Sequence, residues 1–201
     1  MKIEYFSRIE NATISILKKG GQGILIRNQM ILTACHCLDY SLSGDMVLGE
    51  YFIEEIGTKS GNFKVAPMAI EPINDIAALG VVDSQEFYDE YLQFEEFCNN
   101  TQPIKICRDK LDAGKKFKIY IFGHEKKWIT GYAMLSFPES PMIVIQADEP
   151  IKGGTSGSGI INEKGEIVGI VSNTAEGENN GIAPRPLLAL PVWLCRKIYR
   201  Y

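Results

Sequence analysis

Three short stretches hold residue types that could do chemistry together: Thr33-Ala34-Cys35-His36-Cys37, Asn74-Asp75-Ile76-Ala77-Ala78-Leu79 and Gly153-Gly154-Thr155-Ser156-Gly157-Ser158-Gly159. A serine hydroxyl is a poor nucleophile at neutral pH, so an imidazole must take its proton during attack. A carboxylate must in turn fix the imidazole's tautomer and stabilise the imidazolium that forms. The order along the chain, His36 then Asp75 then Ser156, is one of the orders in which such hydrolytic triads occur. Negative charge developing on a substrate oxygen needs preset donors, and removing one such donor typically costs about 2.7–4 kcal/mol of barrier lowering. A glycine-rich turn can aim backbone N–H groups inward, which assigns the donors to Gly154 and Ser156. Ser158 is the second candidate nucleophile. Asp39 and Asp83 are weaker rivals to Asp75, because neither leads into a comparable apolar run.

The Cys35-His36-Cys37 cluster also raises the question of a metal or a disulfide. Structural zinc takes four Cys or His ligands in a tetrahedral array. Three consecutive residues cannot readily all face one ion, and no paired CxxC or HxxxH follows, so neither a metal nor any other cofactor is expected. The chain's other histidine, His124, sits in Phe122-Gly123-His124-Glu125-Lys126-Lys127 and reads as an exposed loop residue rather than a pocket residue.

The elements that must position these residues are mostly short strands. Branched apolar runs at Ile14 to Ile16, Gly23 to Ile26, Met30 to Thr33, Met46 to Ile56, Phe63 to Ile70 and Ile76 to Val82 are broken by turn residues. At residues 83–98 the period becomes helical, with Phe87, Tyr88, Tyr91, Leu92, Phe94 and Cys98 available to pack on a barrel and Asp83 with Glu86 as a capping box. Strands resume at Phe117 to Phe122, Trp128 to Ser136, Met142 to Gln146 and Glu166 to Val171. Pro186 then opens a terminal helix, about 186–199, with Leu187, Leu188, Leu190, Trp193, Leu194 and Ile198 on its buried face. The expected fold is all-β: two packed antiparallel β-barrels, with one mid-chain helical insertion and a C-terminal helix. The first barrel would span residues 1–110 and carry His36 and Asp75; the second would span 111–201 and carry Ser156.

These motifs resemble those of chymotrypsin-like (trypsin-fold) serine peptidases. TACHC is similar to their TAAHC, NDIAAL to their D-I-A-L-L stretch, and GGTSGSGI to the nucleophile loop, with Ser156 in the nucleophile's place. The segment from Trp128 through the nucleophile loop resembles bacterial HtrA-like and glutamyl-endopeptidase-like members. The resemblance implies that Ser172, closing Glu166 to Val171, bonds the triad carboxylate. It also implies a substrate pocket formed by Pro150, Ile151, Lys152, Ser172, Asn173 and Thr174, continuing to Ala175. Pro150 stands where trypsin-type enzymes hold a pocket carboxylate, which points to a small or medium uncharged side chain before the cut. Thr155 replaces the acid that pairs with a new N-terminus in relatives that mature by cleavage, so activation of that kind is not expected. In disulfide-bearing relatives the mate of Cys37 would stand at Gly21, so no bridge is expected there.

Composition narrows the partners. A net charge of −4 without a basic patch argues against nucleic acid. No stretch approaches the ~18 apolar residues of a membrane span, and Glu4, Arg8 and Glu10 interrupt any signal-like run. Five cysteines, an odd set without CxxC spacing, suit a reducing compartment, and the expected location is the cytoplasm. The expected function is hydrolysis of peptide or protein substrates by a serine endopeptidase. A catalytically quiet protease fold that binds peptides, and a latent enzyme switched on by a protein partner, remain open.

Overall fold

The computed structural model describes residues 2–38, 53–82, 85–174 and 181–199. Asp39, Asp83, Ala175, Arg200 and the beginning of the expected Met46 to Ile56 strand lie outside these residues.

Six strands close the first barrel: β1 (Thr13–Ile16), β2 (Gln22–Ile26), β3 (Met30–Thr33), β4 (Glu54–Thr58), β5 (Gly61–Glu71) and β6 (Ile76–Gly80). Their order is β1-β2-β3-β6-β5-β4, and β4 pairs back on β1. The strands β2, β3 and β6 are buried at every position, which is why they read as continuous apolar runs rather than alternating ones. Antiparallel pairing sets Thr33 opposite Ala77, so the residues just after β3 and just before β6 emerge at the same end of the barrel.

The second half adds β7 (Phe117–Phe122), β8 (Trp128–Leu135), β9 (Met142–Ile145), β10 (Gly159–Ile161), β11 (Ile167–Ile170), β12 (Asn173–Thr174) and β13 (Gly181–Ala183). They form a seven-stranded antiparallel sheet, ordered β11-β10-β7-β8-β9-β13-β12, that curls into a nearly closed barrel around its own core. The all-β, two-barrel expectation holds. Strands β10, β12 and β13 have three residues or fewer, too short to leave a period in the sequence. The segment 104–107 stitches the halves together. Ile104 donates to Leu25 of β2 at 2.9 Å, and Cys107 donates to Ile167 of β11 at 2.8 Å.

Among the described residues, four α-helices decorate the barrels. The sequence reading starts its elements at Ile14, yet Ile3–Ala12 forms helix α1. Tyr5, Phe6, Ile9 and Ala12 recur at helical spacing and turn toward the core, a pattern hidden by the polar residues between them. Arg8 anchors the helix to the Gly165 carbonyl at 2.9 Å, and the Trp128 indole donates to Glu10 at 2.8 Å. The mid-chain helix is present, but as a 3₁₀ turn (Gln85–Phe87) followed by α2 (Tyr88–Asn100). Phe94 and Phe97 pack on Phe63 of β5, while Tyr88 and Leu92, expected on the packed stripe, are exposed. The expected terminal helix is two helices, α3 (Pro186–Ala189) and α4 (Val192–Tyr199). Pro191 divides them: proline disfavours the helical conformation in the residue before it, and Leu190 is extended at ψ 151°. The break carries Leu190, Leu194 and Ile198 inward but leaves Leu188 and Trp193 about half exposed, which corrects the expected buried face.

Candidate active site

His36 lies in a 3₁₀ turn, Cys35–Cys37, that follows β3. Cys35 and Cys37 are buried and His36 between them is exposed. Asp75 ends the turn before β6, where its N–H donates to the Pro72 carbonyl at 3.3 Å. Its φ of 51° is left-handed, a conformation that Asp tolerates better than most residues. Because β3 and β6 are neighbours, this turn delivers the carboxylate to His36. The ring Nδ1–H donates to Asp75 Oδ2 at 2.6 Å, and the backbone N–H of His36 donates to Oδ1 at 2.8 Å. From the second barrel the Ser172 hydroxyl donates to Oδ2 at 2.5 Å.

These contacts set the charges. The bond to Asp75, aided by the neighbouring Cys37 thiol and opposed by burial, raises His36 from the ordinary 6.5 to about 10. Partial burial pushes Asp75 upward. Its bonds from the His36 ring, Ser172 and the His36 backbone outweigh that and hold it below the usual carboxylate range. With Oδ1 and Oδ2 both engaged, the carboxylate keeps the proton on Nδ1, so that Nε2 is the nitrogen that accepts a proton once the ring is neutral.

Ser156 comes from the loop before β10. Its carbonyl accepts the Gln22 N–H at 2.7 Å and the Cys37 thiol at 3.6 Å, which seats it against the residue following His36. Gln22 is the contributor that sequence reasoning overlooked. Its own carbonyl accepts the Thr33 hydroxyl at 2.6 Å, and its Oε1 accepts the Ser158 hydroxyl at 2.6 Å. Ser158 is 1% exposed and committed to that bond, so it cannot serve as the alternative nucleophile. The only sequence signal for Gln22 is a polar residue opening a wholly buried strand. Gly157 has a φ of +87°, and any Cβ there would overlap the Gln22 carbonyl oxygen.

The loop ahead of Ser156 turns tightly. Thr155 N–H donates to the Lys152 carbonyl at 3.2 Å, with Gly154 at φ +85° in the third position, the signature of a type II turn. Among the described residues, the N–H groups of Gly154 and Ser156 have no protein acceptor. Of the expected pocket residues, Ser172 faces Asp75, and Ile151 is 4% exposed in the second core instead of lining an open surface. The Lys152 ammonium turns to Glu125 at 2.7 Å, Pro150 is exposed, and Asn173 and Thr174 form the edge strand β12. His124 is exposed, as expected, yet its ring lies directly on Gly154. Gly21, where the resemblance puts the missing mate of Cys37, lies against that thiol, and a Cβ there would come 2.5 Å from Sγ.

A two-barrel fold that carries a histidine–carboxylate pair on the first barrel and a glycine-bracketed serine in a loop of the second is the architecture of trypsin-like serine peptidases. The chain belongs to that family: the model for the trypsin-like peptidase domain matches residues 21–170. Solved structures share the fold at low sequence identity. The serine endoprotease from Yersinia pestis is 17% identical with a TM-score of 0.61, covering 100% of this chain and 67% of that one. Rv3671c protease in an inactive form is 14% identical with a TM-score of 0.61, covering 98% and 93%. A serine-to-alanine variant of Rv3671c from M. tuberculosis H37Rv, also inactive, is 14% identical with a TM-score of 0.58, covering 90% and 84%. Among curated proteins no sequence matches the chain.

Proposed function

We propose that the protein is a serine endopeptidase working through His36, Asp75 and Ser156. The observation that carries this reading is the bond array His36–Asp75–Ser172, together with a serine loop whose Gly154 and Ser156 N–H groups have no acceptor among the described residues. Ser156 Oγ attacks the scissile carbonyl and its proton passes to Nε2 of His36. The Asp75 carboxylate holds Nδ1–H and stabilises the imidazolium. Gly154 and Ser156 N–H groups receive the oxyanion. Collapse of the tetrahedral adduct breaks the C–N bond as His36 returns the proton to the departing amine. Water, deprotonated by His36, then hydrolyses the acyl-enzyme.

The substrates of this reading are peptides or proteins with a small or medium uncharged residue before the cut, supported by Pro150 at the position of the trypsin-type carboxylate. A cytoplasmic location is supported by five cysteines that are all thiols. A fluorophosphonate probe tests the reading. Purified protein should label at Ser156 and lose labelling in Ser156→Ala. Labelling only in lysate would favour a partner-activated enzyme, and no labelling in either would favour a catalytically quiet peptide-binding module.

A further inference from the structure

The type II turn of residues 152–155 has a close competitor. A type I turn over the same four residues keeps the same hydrogen bond from Thr155 to Lys152 but turns the Gly153–Gly154 peptide over. That would swing the Gly154 N–H, one of the two oxyanion donors in the proposed mechanism, to the opposite side. Glycine occupies positive and negative φ about equally, so two successive glycines leave little local preference between the turns. A contact from outside the turn must choose.

One element touches the turn at its first, third and fourth residues: the β7–β8 turn, residues 123–127. The His124 ring lies on Gly154, so close that a Cβ there would fall 2.9 Å from Cγ and 3.2 Å from Cδ2 and Nδ1. The His124 N–H donates to the Thr155 hydroxyl at 3.3 Å, and Thr155 is only 2% exposed. The Glu125 carboxylate meets Lys152 at 2.7 Å, an exposed pair that salt screens and that therefore contributes least. The bracing turn is itself rigid. Gly123 N–H bonds Lys127 at 2.8 Å, Lys126 N–H bonds Gly123 at 2.9 Å, and the last rung pairs Phe122 with Trp128. Trp128 is held in turn by α1, through Glu10 and an edge-on contact with Phe6 at 4.5 Å.

We infer that the β7–β8 turn is the brace that holds the oxyanion loop in its type II form, with His124 and Thr155 as positioning residues. The brace uses a ring and a neutral hydroxyl and needs no ion pair at position 155. This inference rests on the proposed peptidase reading for its kinetic consequence, but its structural consequence stands apart.

The test compares His124→Ala and Thr155→Val with wild type and with Thr155→Ser, which keeps the hydroxyl. His124 is exposed, so its removal spares the core. Crystal structures of the two deletions should show Gly154 leaving its positive φ, while Thr155→Ser keeps it. Losing one oxyanion donor altogether costs about 10²–10³ in kcat, so a turn flipped in nine molecules of ten should lower kcat roughly tenfold with KM little changed. Thr155→Ser should return kcat to within about threefold of wild type. Gly154 remaining near +85° in both deletions would overturn the brace, as would a rise in KM with kcat unchanged, which would make His124 a substrate contact. Failure of wild-type protein to label at Ser156 would sink the peptidase reading while leaving the Gly154 conformation to decide the brace.

Discussion

Replacing Asp75 by Asn tests the site with little disturbance to the backbone, because Asn adopts the left-handed φ of 51° as readily as Asp does. The carboxylate accepts three bonds: His36 N–H on Oδ1, and His36 Nδ1–H together with Ser172 Oγ–H on Oδ2. An amide has one oxygen and one NH₂ to fill those two places. With its nitrogen at the Oδ1 place it would face the His36 backbone N–H donor to donor, so the nitrogen takes the Oδ2 place. There Ser172 can rotate its hydroxyl to accept, but His36 Nδ1 must become an acceptor, which puts the ring proton on Nε2. A ring protonated at Nε2 cannot take the proton of Ser156. Loss of the correct tautomer should lower kcat by about 10⁴, equivalent to ~5.5 kcal/mol of barrier. Ester hydrolysis together with fluorophosphonate labelling rates would measure it, with circular dichroism confirming that the fold survives. A variant within about tenfold of wild type would refute the assignment of Asp75.

Because Asp75 raises His36 above 6.5, kcat/KM should climb with pH through the neutral range, and a pH–rate profile with its acid limb at or below 6.5 would contradict this. The raised His36 contributes stability that is fully present below 6.5 and is lost as pH rises through about 10, whereas the lowered Asp75 contributes stability present above 3.8 and lost as pH falls through its folded value. The Tm difference between wild type and His36→Ala should therefore shrink on the alkaline side. Ser172→Ala removes a bond to a charged group, of order 1.5–3 kcal/mol, and should cost roughly tenfold or more in kcat while leaving KM near wild type in steady-state assays. Gly157→Ala combines a strained φ of +87° with overlap on the Gln22 carbonyl oxygen, and urea unfolding should show a loss of roughly 3 kcal/mol or more.

What the sequence displays and what it hides divide along physical lines. Strands β2, β3 and β6 and the order of His36, Asp75 and Ser156 are local patterns, and each is legible as such. Gln22 looks like any strand-opening polar residue, because its role depends on a bond to Ser158, far along the chain. Helix α1 hides because its buried face is narrow, and Pro191 breaks a helix whose apolar pattern runs on across it. Ile151 sits where the resemblance puts a pocket wall, and only packing reveals that its side chain belongs to the second core. The type II turn that frees Gly154 N–H is likewise invisible in a glycine pair that permits either turn.

The bonds of Gln22 cross between the barrels: it belongs to β2, and it ties down both Ser156 and Ser158. Ser172 crosses the other way to reach Asp75. The spacing of Ser156 and His36 is therefore a property of how the two barrels are docked, across a seam where Tyr120, Ile161 and Ile167 of the second barrel join the core of the first, and not of either barrel alone. A compound wedged into that seam would inhibit without resembling a substrate and without touching Ser156 or His36, and raising the substrate concentration would not displace it.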